Sequence, residues 1–156
     1  MTNFIGEFEC KLDAKGRFSF PSSLRRQLSV LSEGRFVVNR GMEDCLVLYQ
    51  QEDWDRVSAK VNKLNQFIKK NRMFVRRFNN GATPLELDGS SRLLLPKRLL
   101  EYAEISKKCV LFAYGDKIEI WSYEKYQQMM KSDDGDDYAD LAEDVMGDLN
   151  DAENVS

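Results

Sequence analysis

Two elements of the form Asp-x-x-x-Arg, beginning at Asp13 and Asp88, lie 75 residues apart in this chain. An Asp side chain can hydrogen-bond the backbone of a turn, and Gly16 permits a positive φ inside the first element. The guanidinium of Arg17 can bind phosphate or the N7 and O6 atoms of guanine as a fork, whereas Lys15 mainly adds charge. These residues favour recognition of an anion.

Several other chemistries find no support in the residues. The sequence contains no His, which excludes Ser-His-Asp and Cys-His nucleophile systems and zinc sites that use His. It has neither GxxxxGK[ST] nor GxGxxG, so no cofactor is expected. The acidic run 133–137 could attract a divalent cation but lacks the ligand order of an EF-hand loop, so no metal site is expected. Cys10, Cys45 and Cys109 are far apart in apolar sequence and are expected to be core thiols. An enzyme is therefore not expected.

The elements around the first turn follow from the residue pattern. Apolar and charged residues alternate over residues 8–12, which is typical of a half-buried strand. A second alternating stretch follows the turn. Pro21 then begins a short amphipathic helix whose Arg25 and Arg26 face water. A basic tip between two strands is the result.

The order of elements occurs twice, which predicts duplication of one supersecondary unit. The turns align with an offset of 75 residues, and the later strands align with an offset of 72 because a loop is shorter. The sequence predicts a first module over 4–51, a helical connector over 52–81, a second module over 82–126 and an acidic tail over 132–156. A module of this size buries too little apolar area alone, so pairing with its duplicate is expected.

The connector carries a basic stretch. Apolar residues recur at helical spacing from Trp54 to Ile68, and residues 69–78 then interleave five Lys or Arg with Met, Phe and Val. This stretch could contact nucleic acid. The favoured alternative is a solvated helix face whose long stems cover the core.

Charge is divided unequally along the chain. The tail, 132–156, holds ten acidic residues and no Lys or Arg, whereas residues 1–131 hold 16 acidic and 23 basic side chains, a net charge of +7. A basic body of this kind suits a polyanion partner, although an ordinary domain with a solvated tail also fits. Residues 138–149 have the spacing of an amphipathic helix, but like-charge repulsion favours a flexible tail.

Two longer motifs carry a resemblance. Residues 6–21 read GEFECKLDAKGRFSFP, residues 87–96 read LDGSSRLLLP, and the second copy ends in Glu119-Ile120-Trp121. The chain resembles the MraZ family, the double AbrB-like (SpoVT-AbrB) transcriptional regulators of the bacterial division and cell-wall gene cluster. The resemblance spans roughly residues 4 to 130 and leaves out the acidic tail.

The resemblance implies an α+β fold. It consists of two tandem swapped-hairpin, AbrB-like, β-rich modules that form one pseudo-symmetric unit with a helical connector. The resemblance also implies ring-like homo-oligomers that bind double-stranded DNA through the Asp-x-x-x-Arg elements. Tips repeated around such an oligomer would gain avidity on tandem promoter sites.

The candidate DNA-binding residues are Lys15, Arg17, Arg25, Arg26 and Arg92, and the residues expected to structure the turns are Asp13, Gly16 and Asp88. From the residues alone, an ion pair with Asp13 that only stiffens the turn is the favoured role of Arg17. The resemblance shifts the expectation to DNA contact. The second copy has Ser91 before its Arg and Gly at 89, so its turn is expected to differ in shape and Arg92 to contribute less.

The function that follows is a sequence-specific repressor of a division and cell-wall promoter. It is expected to be cytoplasmic and associated with the nucleoid, because residues 1–4 lead directly into a strand pattern and no apolar run is long enough to span a membrane. The alternative is an oligomeric scaffold that recruits a partner through its amphipathic acidic tail.

Overall fold

The computed structural model describes residues 2–133 and 138–155. The chain divides into two compact units, Met1–Tyr123 and Glu124–Ser156. In the first unit the same series of strands and short helix occurs on either side of two longer helices. In chain order the elements are β1 (Phe4–Lys11), β2 (Arg17–Ser19), α1 (Ser22–Arg25), β3 (Arg35–Arg40), β4 (Leu46–Gln50), α2 (Gln51–Asn62), α3 (Lys69–Asn80), β5 (Thr83–Glu86), β6 (Arg92–Leu94), α4 (Lys97–Tyr102), β7 (Lys108–Gly115) and β8 (Lys117–Ser122).

The two repeats exchange their first strands. The main sheet has the order β1-β7-β8-β4-β3-β5, so β1 of the first repeat pairs with β7 of the second, and β5 of the second pairs with β3 of the first. All of these pairs are antiparallel. The exchange confirms the α+β fold with tandem swapped-hairpin modules, and the pairing of β4 with β8 marks the pseudo-twofold axis.

A separate two-stranded ribbon joins the repeats at the turns. In β2 and β6, Arg17 lies opposite Leu94, Phe18 opposite Leu93, and Ser19 opposite Arg92. Phe18 and Leu93 are buried. Because side chains alternate between the two faces of a strand, the other four point away from the core.

One hydrophobic core serves both repeats. Its buried members include Phe18, Leu24 and Phe36 from the first repeat and Leu93 and Leu99 from the second. Leu24 and Leu99 are the buried residues of the two short helices, α1 and α4. Neither repeat therefore has a core of its own, as the small size of each module predicts.

The connector is a pair of helices rather than one continuous helix. The apolar spacing extends to Ile68, but α2 ends at Asn62 and α3 begins at Lys69. Between them the Asn65 side chain accepts a hydrogen bond from the Phe67 backbone N–H, a local bond that competes with helix geometry. Trp54 and Phe78 stack with their ring centroids 5.3 Å apart, which holds α3 against α2.

The second unit contains α6 (Tyr138–Val155) and all of α5 (Tyr123–Asp133) except its first residue. The amphipathic spacing in the tail is thus realised as a helix, with Tyr138, Leu141 and Val145 exposed. Flexibility of the tail stays a prediction, and most of the acidic run 133–137 lies outside the described residues. Over residues 2–133 and 138–155 no helix is both long and apolar enough to cross a membrane.

Candidate nucleic-acid interface

Asp13 organises the first turn with both of its carboxylate oxygens. Its Oδ1 accepts hydrogen bonds from the backbone N–H groups of Lys15 and Arg17, each at 2.9 Å. Its Oδ2 accepts a 2.7 Å bond from Arg17 Nε. The backbone closes the same turn, because Gly16 N–H donates to Asp13 O at 3.0 Å. Asp13 is thereby fixed as the structural residue of the motif.

The second turn has the same hydrogen bonds. Asp88 Oδ1 accepts from the backbone N–H groups of Ser90 and Arg92, and Oδ2 accepts from Arg92 Nε at 3.0 Å. The expectation of a differently shaped turn is wrong. Ser91 adopts a φ of 58° at the position equivalent to Gly16, whose φ is 87°. The second turn therefore tolerates a side chain in the left-handed region and does not use Gly89 for this purpose.

These bonds keep both aspartates ionised. Hydrogen bonds from the Arg17 backbone, followed by smaller contributions from its side chain and from Lys15, lower the pKa of Asp13 to about 2. The pKa of Asp88 is lowered by the corresponding bonds from Arg92 and Ser90. Each turn thus presents a carboxylate that remains charged at neutral pH and holds its Arg in place.

The ion pair leaves most of each guanidinium available. Arg17 and Arg92 are 29 % and 35 % exposed in their side chains. Within the described residues, the side-chain hydrogen bonds of both arginines use Nε alone. Since a guanidinium has five N–H donors, the four on the two Nη atoms can bind a ligand. The stiffening role and a binding role are therefore compatible.

The two arginines share the outward face of the ribbon. Ser19 lies opposite Arg92, and Arg17 is two residues before Ser19 on the same strand, so all three point the same way. From the strand rise and the spacing between strands, the Cα atoms of Arg17 and Arg92 are roughly 8 Å apart. The ribbon presents two anchored cations side by side.

Arg25 does not join the first tip. Its Nη1 donates to Ser91 Oγ, so the guanidinium of the first repeat lies at the turn of the second. The symmetric position in the second repeat is Leu100, and a Cβ on Gly16 would lie 3.0 Å from Leu100 Cδ1. Each turn is thus covered by the short helix of the other repeat, with an apolar residue at one turn and a cation at the other.

The remaining candidates, Lys15 and Arg26, lie outside the two strands of the ribbon. Lys15 is exposed in the first turn, and Arg26 is exposed at the end of α1. Sequence reasoning missed two contacts: the hydrogen bond from Arg25 to Ser91, and the packing of Leu100, the residue equivalent to Arg25, against Gly16. The signal was the offset of 75, which aligns Gly16 with Ser91 and Arg25 with Leu100. Over the described residues, no group of three or more His, Cys, Asp or Glu side chains could hold a metal ion.

Comparison of the sequence with known proteins identifies the family of this chain. A family model described as "MraZ protein, putative antitoxin-like" matches residues 3–77 and again residues 78–147. The chain belongs to the MraZ family. The double match agrees with the two repeats seen in the sheet and in the turns.

Relatives of known name cover most of the chain. A protein of Christiangramia forsetii is 46% identical over 148 residues, covering 94% of this chain and 95% of the relative. A protein of Flavobacterium psychrophilum is 44% identical, covering 98% of each. One of Cytophaga hutchinsonii is 39% identical, covering 90% of this chain and 92% of the relative. All three are named "Transcriptional regulator MraZ". This MraZ family member is thus a transcriptional regulator, which is not a class of enzyme.

Proposed function

We propose that the chain is a repressor that binds promoter DNA through the outward face of the β2–β6 ribbon. The observation that carries this proposal is the pair of arginines on that face, each held at Nε and open at both Nη atoms. A two-stranded ribbon fits a major groove about 12 Å wide. The roughly 8 Å between the arginines is close to two base-pair steps of about 3.4 Å each.

The charge around the ribbon supports DNA as the ligand. Lys15 adds a cation at the first turn, and Arg25 adds one at the second through its bond to Ser91. Each turn therefore has at least one cation besides its own Arg, although the two sequences differ. Arg26, directly after α1, is a further exposed cation and a candidate for contacts with the DNA backbone.

The regulated promoter is the finer part of the proposal. Membership of the family suggests the chain's own division and cell-wall gene cluster and a cytoplasmic, nucleoid-associated protein. We also infer that the two AbrB-like modules, residues 4–51 and 82–126, act as one DNA-binding body because they share a core and a ribbon.

Assembly into a ring is supported by apolar surface on the connector. Phe67 is 97 % exposed, and Leu64, Ile68, Met73 and Phe74 are also exposed around the end of α2 and the start of α3. Contiguous exposed apolar patches mark interaction sites. A head-to-tail contact that closes on itself would bury this patch and form a ring, with tips repeated along tandem DNA sites.

A second candidate function is a scaffold that recruits a protein through α6. The observation that favours it is the exposed apolar stripe of Tyr138, Leu141, Val145 and Met146 on an otherwise acidic helix. Amphipathic helices commonly bind by laying such a stripe into an apolar groove.

Salt dependence separates the two candidates. Binding of the full chain to a promoter fragment is measured between about 50 and 200 mM salt, with a shuffled fragment as the control. Ribbon binding predicts a linear fall of log K with log salt for both fragments and tighter binding to the promoter. If the promoter and shuffled fragments bind equally weakly, the repressor proposal is wrong.

A further inference from the structure

Two of the three cysteines face each other across the exchanged strand. Cys10 on β1 lies directly opposite Cys109 on β7. Leu12 N–H donates to Lys107 O two positions further along, and pair types alternate in an antiparallel ladder. Cys10 and Cys109 therefore also form a hydrogen-bonded pair, with Cα atoms about 5.5 Å apart, inside the usual disulfide range of about 4.4 to 6.8 Å.

The two facing thiols are not equivalent. Interaction with the facing Cys109 thiol lowers the pKa of Cys10 against the opposing effect of burial. The same interaction, together with burial, raises the pKa of Cys109. Cys10 is thus the better thiolate, and thiolates are the reactive form of cysteine.

Of the two facing cysteines, Cys10 is the one that lies nearer to solvent. Cys10 as a whole residue is 8 % exposed and lies along an open groove with Glu9, Lys11 and Ser19, whereas Cys109 is fully buried. A small oxidant can therefore reach the nucleophilic member of the pair. The buried member lies in position to complete a disulfide.

Cys45 provides a matched contrast within the chain. It is also buried, and burial followed by the charge of Glu119 raises its pKa to about 12. It lies just before β4, and the strand paired directly with Cys10 is β7. Cys45 is therefore nearly as buried as Cys109, but in the described strand pairings no cysteine lies opposite it.

We propose that Cys10 and Cys109 are an oxidant-reactive dithiol that closes to a cross-strand disulfide on exposure to a hydroperoxide. The Cys10 thiolate attacks the terminal peroxide oxygen, giving a sulfenic acid and, for hydrogen peroxide, hydroxide that takes up a proton to become water. The Cys109 sulfur then attacks the sulfenic sulfur, the S–O bond breaks, and a second water leaves. The two thiols are oxidised by two electrons and one peroxide is reduced.

The bond would have a structural consequence for the swapped fold. It would link β1 of the first repeat to β7 of the second, three residues before the Asp13 turn. It would also close a long loop of chain, which restricts the unfolded state. The facing Cβ atoms of a hydrogen-bonded cross-strand pair are about 5.5 Å apart, about 1 Å beyond the disulfide range of about 3.5–4.5 Å. The two strands must therefore move together locally to form the bond, and a thiol reductant should reopen it readily.

The test uses the folded full-length chain treated with hydrogen peroxide and analysed by intact mass, thiol titration and peptide mapping. Wild type and Cys45→Ser should each lose two hydrogens and two titratable thiols and gain a Cys10–Cys109 cross-link. Dithiothreitol should reverse the change. Thermal unfolding of the oxidised form should shift to a higher temperature.

The single-cysteine variants separate the two roles. Cys109→Ser should stop at the Cys10 sulfenic acid, which a dimedone probe traps, and Cys10→Ser should not react under the same conditions. Circular dichroism checks that each variant is folded, and the wild-type cross-link map does not depend on them. Cross-links to Cys45, links between chains, or oxygen addition to wild type without loss of two hydrogens would overturn the proposal.

Discussion

At the residue scale, Arg17 and Arg92 can do two things at once because a guanidinium has donors in two directions. Nε completes the turn with the Asp, and the N–H donors of the two Nη atoms take no part in that bond. A Lys ammonium at the same place is a compact point charge, so its contact with the carboxylate would compete with contact to a DNA phosphate. The turn residue and the proposed recognition residue are therefore one side chain, which explains why an ion pair here does not argue against DNA contact.

We predict that Arg17→Ala and Arg92→Ala each weaken promoter binding by about 10- to 100-fold, the loss of about 1–3 kcal/mol typical of one specific Arg contact. The losses should be similar, because the two turns share their hydrogen bonds and each tip has a second cation. Fluorescence anisotropy with a promoter duplex measures the affinity, and circular dichroism checks the fold.

Ser23→Ala is a suitable control, because Ser23 is exposed on α1 and carries no charge. Normal promoter affinity in both Arg variants would remove the ribbon from the interface. A loss confined to Arg17→Ala would instead show that only the first module reads DNA.

Backbone conformation gives a second test at this scale. Gly16 has a φ of 87°, and a Cβ there would lie 3.2 Å from Leu95 O and 3.0 Å from Leu100 Cδ1. Gly16→Ala should therefore lower the free energy of unfolding by about 1–3 kcal/mol, the usual cost of an L side chain in this region. Urea unfolding measures the change.

Gly89→Ala is the matched control in the second turn. Gly89 has no positive φ, and a Cβ there would meet nothing within 4 Å. Its stability should be unchanged or slightly raised, because Ala restricts the unfolded chain. Equal destabilisation by both substitutions would contradict the assignment of Gly16 as the strained position.

At the scale of elements, local patterns were predictable and long-range pairings were not. Alternation gave the strand of residues 8–12, and the Asp and Gly of the first turn indicated its geometry. The resemblance, rather than the pattern, supplied the exchange of β1 and β5. The bond from Arg25 to Ser91 could not be foreseen, because it spans 66 residues and depends on how the two repeats face each other.

Other errors at this scale have local causes. The break between α2 and α3 was missed because the apolar spacing continues through it, while the Asn65 side chain bonds the backbone instead. The expectation that the second turn differs in shape was wrong. Its positive φ lies at Ser91, the position equivalent to Gly16, and not at Gly89. Small polar residues can enter that region at modest cost, and sequence alone does not show when they do.

The connector patch gives the element-scale prediction. Phe67→Asp places a charge at the centre of the exposed patch between α2 and α3, so it should lower the oligomer mass seen by light scattering. Met42→Asp is the control, because Met42 is 91 % exposed in the loop between β3 and β4, outside this patch. An unchanged mass for Phe67→Asp would place the subunit contact elsewhere.

At the scale of the whole molecule, the pseudo-twofold arrangement places a second cation near each of the two turns, although the sequences of the turns differ. Lys15 beside Arg17 at one tip corresponds to Arg25 beside Arg92 at the other, although Arg25 belongs to the first repeat. The repeats exchange strands, and each turn is also contacted by a side chain from the other repeat, Leu100 at the first turn and Arg25 at the second. Neither module therefore forms its turn region without the other. DNA binding and folding of the two repeats should therefore be lost together.

The tail gives the last prediction. Deleting residues 132–156 removes ten negative charges from a body with a net charge of +7. The shortened chain should bind non-specific DNA more tightly, because removing the tail carboxylates changes the net charge from −3 to +7 and removes their repulsion of approaching DNA. Anisotropy with a shuffled duplex at several salt concentrations measures this effect.

Salt should reduce the gain from this deletion. Charges further apart than a Debye length of about 8 Å at physiological salt are largely screened, so the difference from the full chain should be greatest near 10 mM salt, where the length is about 30 Å. A control variant in which Leu141 and Val145 are changed to Ser keeps the charge and removes two exposed apolar residues of α6. If this variant, which keeps all ten tail charges, binds non-specific DNA as tightly as the shortened chain, the tail acts through apolar contact rather than repulsion.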